Sequence, residues 1–391
     1  MKTRAASIVV CGTGIVGLAS ALALARRGQP VSLLGPRKPV PAAAALYHPR
    51  VYAISPASQA FLAELGVWDA LPQDRVAEVS AMDVRGDDGG RVQLHAWQAA
   101  RAQMAWIVEA SEIERVLAQA VVIHGLEWIP EPYTSYTHAE LKTASGRVLQ
   151  PALTIAADGA RSALRTAAGI RADARPYDAV GLVTHLDAQR AHGGCAYQWF
   201  RDDGVLALLP LPDTEQGPQV SMVWSMKTAP ARALQAMAAD AQLSALTERL
   251  RVATGGALGE LTPRQPMLGF DLTLEGSDMI GEGLALVGDA AHRIHPLAGQ
   301  GLNLGLADAR ALAEVVAERE PFRSPGDPRV LRRYRRARAA PVAAMRFATD
   351  GLHRLFDTPS GLVGWLRNAG MQGVERMPLL KRQLIAMASD Q

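Results

Sequence analysis

The chain has 391 residues, 49% hydrophobic and 20% charged, a balance that builds a globular protein large enough for two cores and excludes a disordered or low-complexity chain. A formal net charge of +3 is too small to point to nucleic acid. Cys11 and Cys195 stand far apart and predict no disulfide, as suits the cytoplasm, while no stretch reaches the roughly 18 apolar residues of a membrane span and no metal-ligand spacing appears.

The first predicted element is a strand over residues 7–10, followed by Gly12, Gly14 and Gly17 in G-x-G-x-x-G spacing and a helix over 18–27. In that order they form the phosphate-binding turn of a dinucleotide fold: the glycines supply a tight turn, a close backbone approach and helix packing, and the phosphates meet the helix amino terminus. A second strand over 31–34 ends at Gly35, where such a fold ordinarily carries the Asp or Glu that binds the adenosine ribose. No carboxylate follows in Pro36-Arg37-Lys38, so the dinucleotide is expected to be held but readily lost, and Gly35→Glu to tighten it.

Arg50-Val51-Tyr52-Ala53-Ile54-Ser55 comes next, leading to Leu65-Gly66-Val67-Trp68. Residues 79–85 and 91–95 alternate about a Gly- and Asp-rich turn and read as a hairpin; a helix is expected over 111–119. The apolar run 153–156 ends near Asp158, with Ser162 and Arg165 three apart on the following turn, where both can face one anionic ligand. Short strands over 179–186, 196–200, 205–209 and 219–224 are expected to join the hairpin in one antiparallel sheet. His185, Tyr197, Leu208, Met222 and Trp224 are candidates for a pocket on its face, although alternate strand residues must also fill a core.

The richest stretch begins at the strand Leu284-Ala285-Leu286-Val287 and continues through Gly288-Asp289-Ala290-Ala291-His292-Arg293-Ile294-His295-Pro296-Leu297-Ala298-Gly299-Gln300-Gly301-Leu302-Asn303. Asp289 ends a strand where open α/β sheets place ligands, and the helix opening near Gln300 aims free N–H groups and a positive dipole end at developing negative charge. His292 and His295 have no ligand partners at zinc spacing and belong to this turn. Beyond it, Arg332-Arg333-Tyr334-Arg335-Arg336-Ala337-Arg338 reads as a solvated helix face. In the tail, Leu352, Leu355, Phe356, Leu362, Val363, Trp365 and Leu366, interspersed with Arg354, Arg367, Arg376, Lys381 and Arg382, suit either an anionic lipid surface or a docked helical pair.

Four of these elements, at 9–17, 50–68, 157–165 and 288–305, stand in the order seen in the class A flavoprotein aromatic monooxygenases, and the chain most resembles the ubiquinone-biosynthesis hydroxylases among them. The resemblance implies an α/β fold: a Rossmann-like FAD-binding domain of the p-hydroxybenzoate hydroxylase type, an inserted antiparallel-sheet substrate domain and a helical carboxyl terminus. The expected division is 1–78, 106–170 and 264–391 for the FAD-binding domain, and 79–105 with 171–263 for the substrate domain. It implies FAD as cofactor, NADH or NADPH as transient donor, and O2 and a prenylated phenol as substrates. Gly12, Gly14, Gly17, Arg50, Asp158, Asp289, Pro296, Gly299, Gln300, Gly301 and Asn303 are the expected cofactor-binding residues, with no side chain singled out as catalytic and no metal. Peripheral contact with the inner membrane and with other quinone-biosynthesis proteins is also expected. Two other readings stay open, a hydroxylase of a soluble aromatic compound and a weakly catalytic or non-catalytic assembly subunit.

Overall fold

The computed structural model describes residues 8–37, 48–86, 89–138, 140–294, 300–357 and 370–389. Its first layer is a six-stranded sheet in the order Ile280–Gly281, Leu284–Leu286, Leu153–Ala156, Ile8–Cys11, Val31–Leu34, Glu127–Ile129. All its pairings are parallel except that of the edge strand Ile280–Gly281. The central strands are apolar at almost every position and wholly buried, the pattern of a parallel sheet covered on both faces. Helices Ile15–Arg26, Ala110–Ile123 and Gly301–Ala317 pack on it and share its core.

Close backbone approach fixes the glycine turn. Gly12 has φ +121°, and a Cβ there would lie 2.1 Å from the carbonyl oxygen of Ala157, so the first strand and the one ending at Ala156 can meet only over a glycine. A Cβ at Gly17 would fall 2.1 Å from the Gly12 carbonyl, so the first helix also seats on the turn only without a side chain.

The second layer is a nine-stranded sheet with the path His292–Arg293, Leu268–Ser277, Ala172–Ala188, Gly217–Lys227, Gly204–Thr214, Cys195–Arg201, Ala81–Arg85, Arg91–His95, and Leu261–Pro263 pairing off it onto Ala172–Ala188. The hairpin and the later strands do join one sheet, as the alternation predicted. The seam between them, Ala81–Arg85 on Cys195–Arg201, is however parallel. Leu268–Ser277 also belongs to this sheet, although its position after residue 264 had grouped it with the cofactor-binding part; it pairs over much of its length with Ala172–Ala188. Long-range pairing of this kind leaves no local signature in the sequence.

Candidate functional site

A cavity of about 350 Å³ lies where the carboxyl ends of the parallel strands meet the inner face of the nine-stranded sheet. Gly14, Gly17, Asp289 and Gly301 line one side, and Val183, Ala207, Leu209, Val223, Phe270 and Leu272 the other. Two helices begin at this cavity: Ile15–Arg26 after Gly14 and Gly301–Ala317 after Gln300. Neither has a side-chain cap nor an acid in its first turn. Their orphan N–H groups and positive dipole ends therefore await negative charge from outside the protein. A Cβ on Gly14 or Gly301 would meet nothing within 4 Å, so both glycines open the backbone onto the cavity.

Asp289 is exposed on the short turn Gly288–Ala290, and its carboxylate has no hydrogen bond within the protein among the described residues. The turn beneath it is rigidly held. Asp308, fully buried in the third turn of the helix, accepts from the Gly288 N–H at 3.0 Å, His292 Nε2 at 2.7 Å and Arg338 Nε at 2.7 Å. Burial pushes the Asp308 carboxyl up, but the charges and hydrogen bonds of His292 and Arg338 outweigh it and hold the group below the usual carboxylate range. His292 Nε2 is thereby committed to Asp308, and among the described residues no group of three or more His, Cys, Asp or Glu side chains is placed to hold a metal ion.

Tyr52 lines the cavity from the strand Val51–Ile54 and Arg50 from the position just before it, the Arg50 guanidinium lying 5.1 Å from the centre of the Tyr52 ring. Burial pushes the Tyr52 hydroxyl up to about 12, against the pull of Arg50 and with help from Asp289 and Glu114, so it is a neutral hydrogen-bond donor at physiological pH. His48 anchors this segment: its N–H donates to Glu109 at 2.6 Å, its ring accepts from the Arg50 N–H at 3.1 Å, and its carbonyl lies 2.8 Å from His185 Nε2. His185, expected as a pocket residue, is thus buried against the Arg50 segment and does not line the cavity. Burial lowers its pKa to about 4, leaving a neutral ring that donates to the His48 carbonyl.

Several expected ligand residues serve the scaffold. Asn303 is 1% exposed and bridges the helix to the neighbouring strand, accepting from the Ser55 N–H and donating to the Ala53 carbonyl and Gln300. Ser162 caps the helix Ala163–Ala167, and Arg165 turns inward to Glu275 at 2.5 Å and the carbonyls of Ala160 and Ala290. Both are buried, which corrects the expectation that they face one anionic ligand. Asp158 accepts from Tyr133 and from the Leu164 N–H with one oxygen, while its other oxygen is buried with no hydrogen-bond partner among the described residues; its neighbours Ala157 and Gly159, not Asp158 itself, line the cavity. Pro296 and Gly299 lie outside the described residues.

Gly35 proves to be a backbone requirement. Its φ is +145°, an added Cβ would stand 2.9 Å from Thr13 Cγ2, and its carbonyl accepts from Trp128 Nε1, whose ring lies under Arg37. The expectation that Gly35→Glu tightens the dinucleotide is therefore corrected, because the side chain would arrive only with backbone strain. A variant Gly35→Glu is expected to lose stability, by about 1–3 kcal/mol, without a gain in flavin affinity; urea unfolding and flavin titration of the pure protein check both.

Leu208, Met222 and Trp224 are buried, but on the far face of the sheet, packed against the helices Thr228–Gln235 and Ala239–Thr254. The cavity takes their neighbours Ala207, Leu209 and Val223. Strand residues alternate faces, so an assignment one residue off selects the wrong side throughout. Tyr197 pairs with Leu208 across the sheet and stacks on Trp199, so its ring also lies on that far face; a smaller adjoining chamber of about 70 Å³ runs along its strand, lined by Gln198, Gln300, Met82 and Met104, and Ala53, Ala207 and Leu209 border both spaces. Tyr52 and Glu114 are cavity residues that motif reading passed over; Tyr52 stood inside the Arg50 motif, two residues on in the strand Val51–Ile54.

Residues 5–348 match the family model described as FAD binding domain. The ubiquinone hydroxylase UbiL of Rhodospirillum rubrum is 34% identical, over 97% of this chain and 88% of its own length. The 3-demethoxyubiquinol 3-hydroxylase of Escherichia coli is 32% identical over 99% of both. Among solved structures, the p-nitrophenol 4-monooxygenase PnpA of Pseudomonas putida shares the fold with a TM-score of 0.78 at 18% identity, covering 98% of each chain. Klebsiella pneumoniae HpxO, complexed with FAD and uric acid, does so with a TM-score of 0.73 at 18% identity, over 97% of this chain and 96% of its own. By family model, by relatives aligned over nearly the whole chain and by fold, this protein belongs to the FAD-dependent monooxygenases built on that FAD binding domain.

Proposed function

We propose that the protein hydroxylates the aromatic ring of a polyprenylated phenol in ubiquinone biosynthesis, taking electrons from NADH or NADPH and oxygen from O2. The observation that carries this reading is the composition of the cavity: two uncapped helix amino termini and Asp289 on one side, and an aliphatic wall of Val183, Ala207, Leu209, Val223 and Leu272 on the other. Bound FAD supplies hydride acceptance and oxygen activation.

The protein's contribution is binding, orientation and exclusion of water. Gly14, Gly17 and the first helix would hold the pyrophosphate, with Gly12 allowing the turn to close. Asp289 would accept from the ribityl hydroxyls. Gln300 and Gly301, opening their helix, would favour negative charge on the flavin's pyrimidine ring, and Arg50 and Tyr52 would border the ring system. The aliphatic wall keeps water from the reacting centre. Gln198 and Gln300 in the adjoining chamber would offer polar contacts to a substrate whose remaining surroundings there are uncharged. The cofactor-binding part would comprise 1–78, 106–170 and the region after the strand Leu268–Ser277, and the substrate part the nine-stranded sheet with its two outer helices. A substrate of this kind is drawn from a bilayer, so peripheral membrane contact follows; no described helix is long and apolar enough to span one.

Tail length provides the test. Each buried methylene contributes roughly 0.8 kcal/mol, so removing one isoprene unit is expected to raise KM by about tenfold or more, with kcat little changed. Equal kcat/KM for a farnesylated phenol and the same phenol without its tail, both tightly coupled to nicotinamide oxidation, would favour the soluble-aromatic alternative.

A further inference from the structure

The arginine-rich run divides, in three dimensions, into two sets. Arg333, Arg335 and Arg338 turn inward or sideways to Glu320, Asp278 and Asp308. Arg332 and Arg336 are exposed and make no ion pair among the described residues. Together with Arg329, whose nearest acid is Asp327, and with Ala340, Ala343 and Phe347, they recur three and four residues apart along the helix Pro328–Asp357, and all six are exposed. The opposite side of the same helix is buried through Val330, Leu331 and Tyr334, the last donating to the Leu286 carbonyl at 2.8 Å. The outward face is thus a band about 27 Å long along the helix, which carries Pro341 within it. It is cationic at one end, flattened by alanines in the middle, and closed by Phe347 at 83% exposure. No acid occurs between Pro328 and Thr349.

We propose that this face is the surface by which the protein lies on an anionic phospholipid bilayer, Arg329, Arg332 and Arg336 meeting headgroup phosphates and Phe347 entering the acyl boundary. The assignment rests on the proposed lipid-borne substrate, and the face itself favours lipid over an acidic protein. Its alanine stretch offers neither knob nor groove to a structured partner, whereas a flat helix with outward arginines and a lone projecting aromatic suits the bilayer interface. The carboxyl-terminal helix Pro378–Ser389, which the sequence suggested for this role, is committed elsewhere on one side: Ile385 packs with Ala96 and Met104, and Lys381 is buried on Glu375 at 2.8 Å. The side chains of residues 352–369, where the remainder of that suggestion fell, lie outside the described residues.

Sedimentation of the FAD-loaded protein with phosphatidylcholine vesicles, with and without phosphatidylglycerol, tests the surface. Binding is expected only with phosphatidylglycerol and is expected to weaken as salt rises. Each arginine near such a surface is worth about fivefold, so the double variant Arg332→Gln/Arg336→Gln should bind about twenty-five-fold more weakly, and Phe347→Ser should lose a further part that salt does not affect. Both should keep their flavin and their turnover of a detergent-solubilised prenylated phenol, which shows that they are folded. Wild-type protein that stays in the supernatant with phosphatidylglycerol, or a double variant that binds like wild type, overturns the assignment. So does an acidic protein captured through these arginines without vesicle binding. Failure of the detergent-solubilised phenol to turn over in the wild type would instead count against the substrate reading, which separates the two.

Discussion

Asp289→Ala is expected to give a folded protein that binds flavin one to two orders of magnitude more weakly. Its carboxylate is exposed in the cavity and has no hydrogen bond within the protein among the described residues, so its removal leaves no buried partner stranded. What is lost is a charge-assisted acceptor for the cofactor's hydroxyls, worth about 1.5–3 kcal/mol, hence roughly ten- to a hundredfold in affinity. Flavin fluorescence titration measures the loss, and thermal unfolding of the flavin-free protein should match wild type. Retention of wild-type flavin affinity would remove Asp289 from the cofactor site.

Asp308→Ala, only nineteen positions along the chain, should behave in the opposite way and unfold the protein far more readily. Asp308 is fully buried, and its removal would strand Arg338, His292 and the Gly288 N–H without their acceptor. Removing one partner of a buried ion pair costs about 3–5 kcal/mol, which corresponds to a drop in Tm on the order of 10 °C. The effect should depend on pH in a defined direction. A carboxyl held below its ordinary value in the folded state contributes stability that is fully present above the unfolded pKa of about 3.9 and is lost as pH falls through the lower folded value. Urea unfolding of wild type and variant should therefore differ most near neutrality and converge in strong acid. A pH-independent difference would show that the site acts through packing alone.

The side of the cavity formed by the parallel strands and the two helix amino termini was legible from the sequence because glycine spacing and strand-to-helix order are local. Gly12, Gly14 and Gly17 read as a phosphate-binding turn, and the strand ending before Asp289 correctly brought that residue to the cavity. Local reading failed where a side chain had two possible partners at distant positions. Asn303 and Arg165 sit in motifs that suggest a ligand, yet each satisfies backbone groups far away in sequence, Ala53 for one and Ala290 for the other. The substrate half was legible as strands but not as faces. Leu208, Met222 and Trp224 and their neighbours Ala207, Leu209 and Val223 are all apolar, so hydrophobicity does not tell the two faces apart, and which set meets the two outer helices is settled by packing. Gly35 shows a third kind of limit: a missing carboxylate reads as a lost contact, whereas its positive φ and the nearby Thr13 show a backbone that a side chain would strain.

The central claim is oxygen transfer to a prenylated phenol, and its most direct test is incorporation of isotopically labelled dioxygen by the purified, FAD-loaded protein supplied with NADH or NADPH and a farnesylated phenol. The account predicts a ring-hydroxylated product carrying one labelled oxygen atom for each nicotinamide oxidised. Nicotinamide oxidation that yields only hydrogen peroxide, with the phenol recovered unchanged while FAD remains bound, would contradict it.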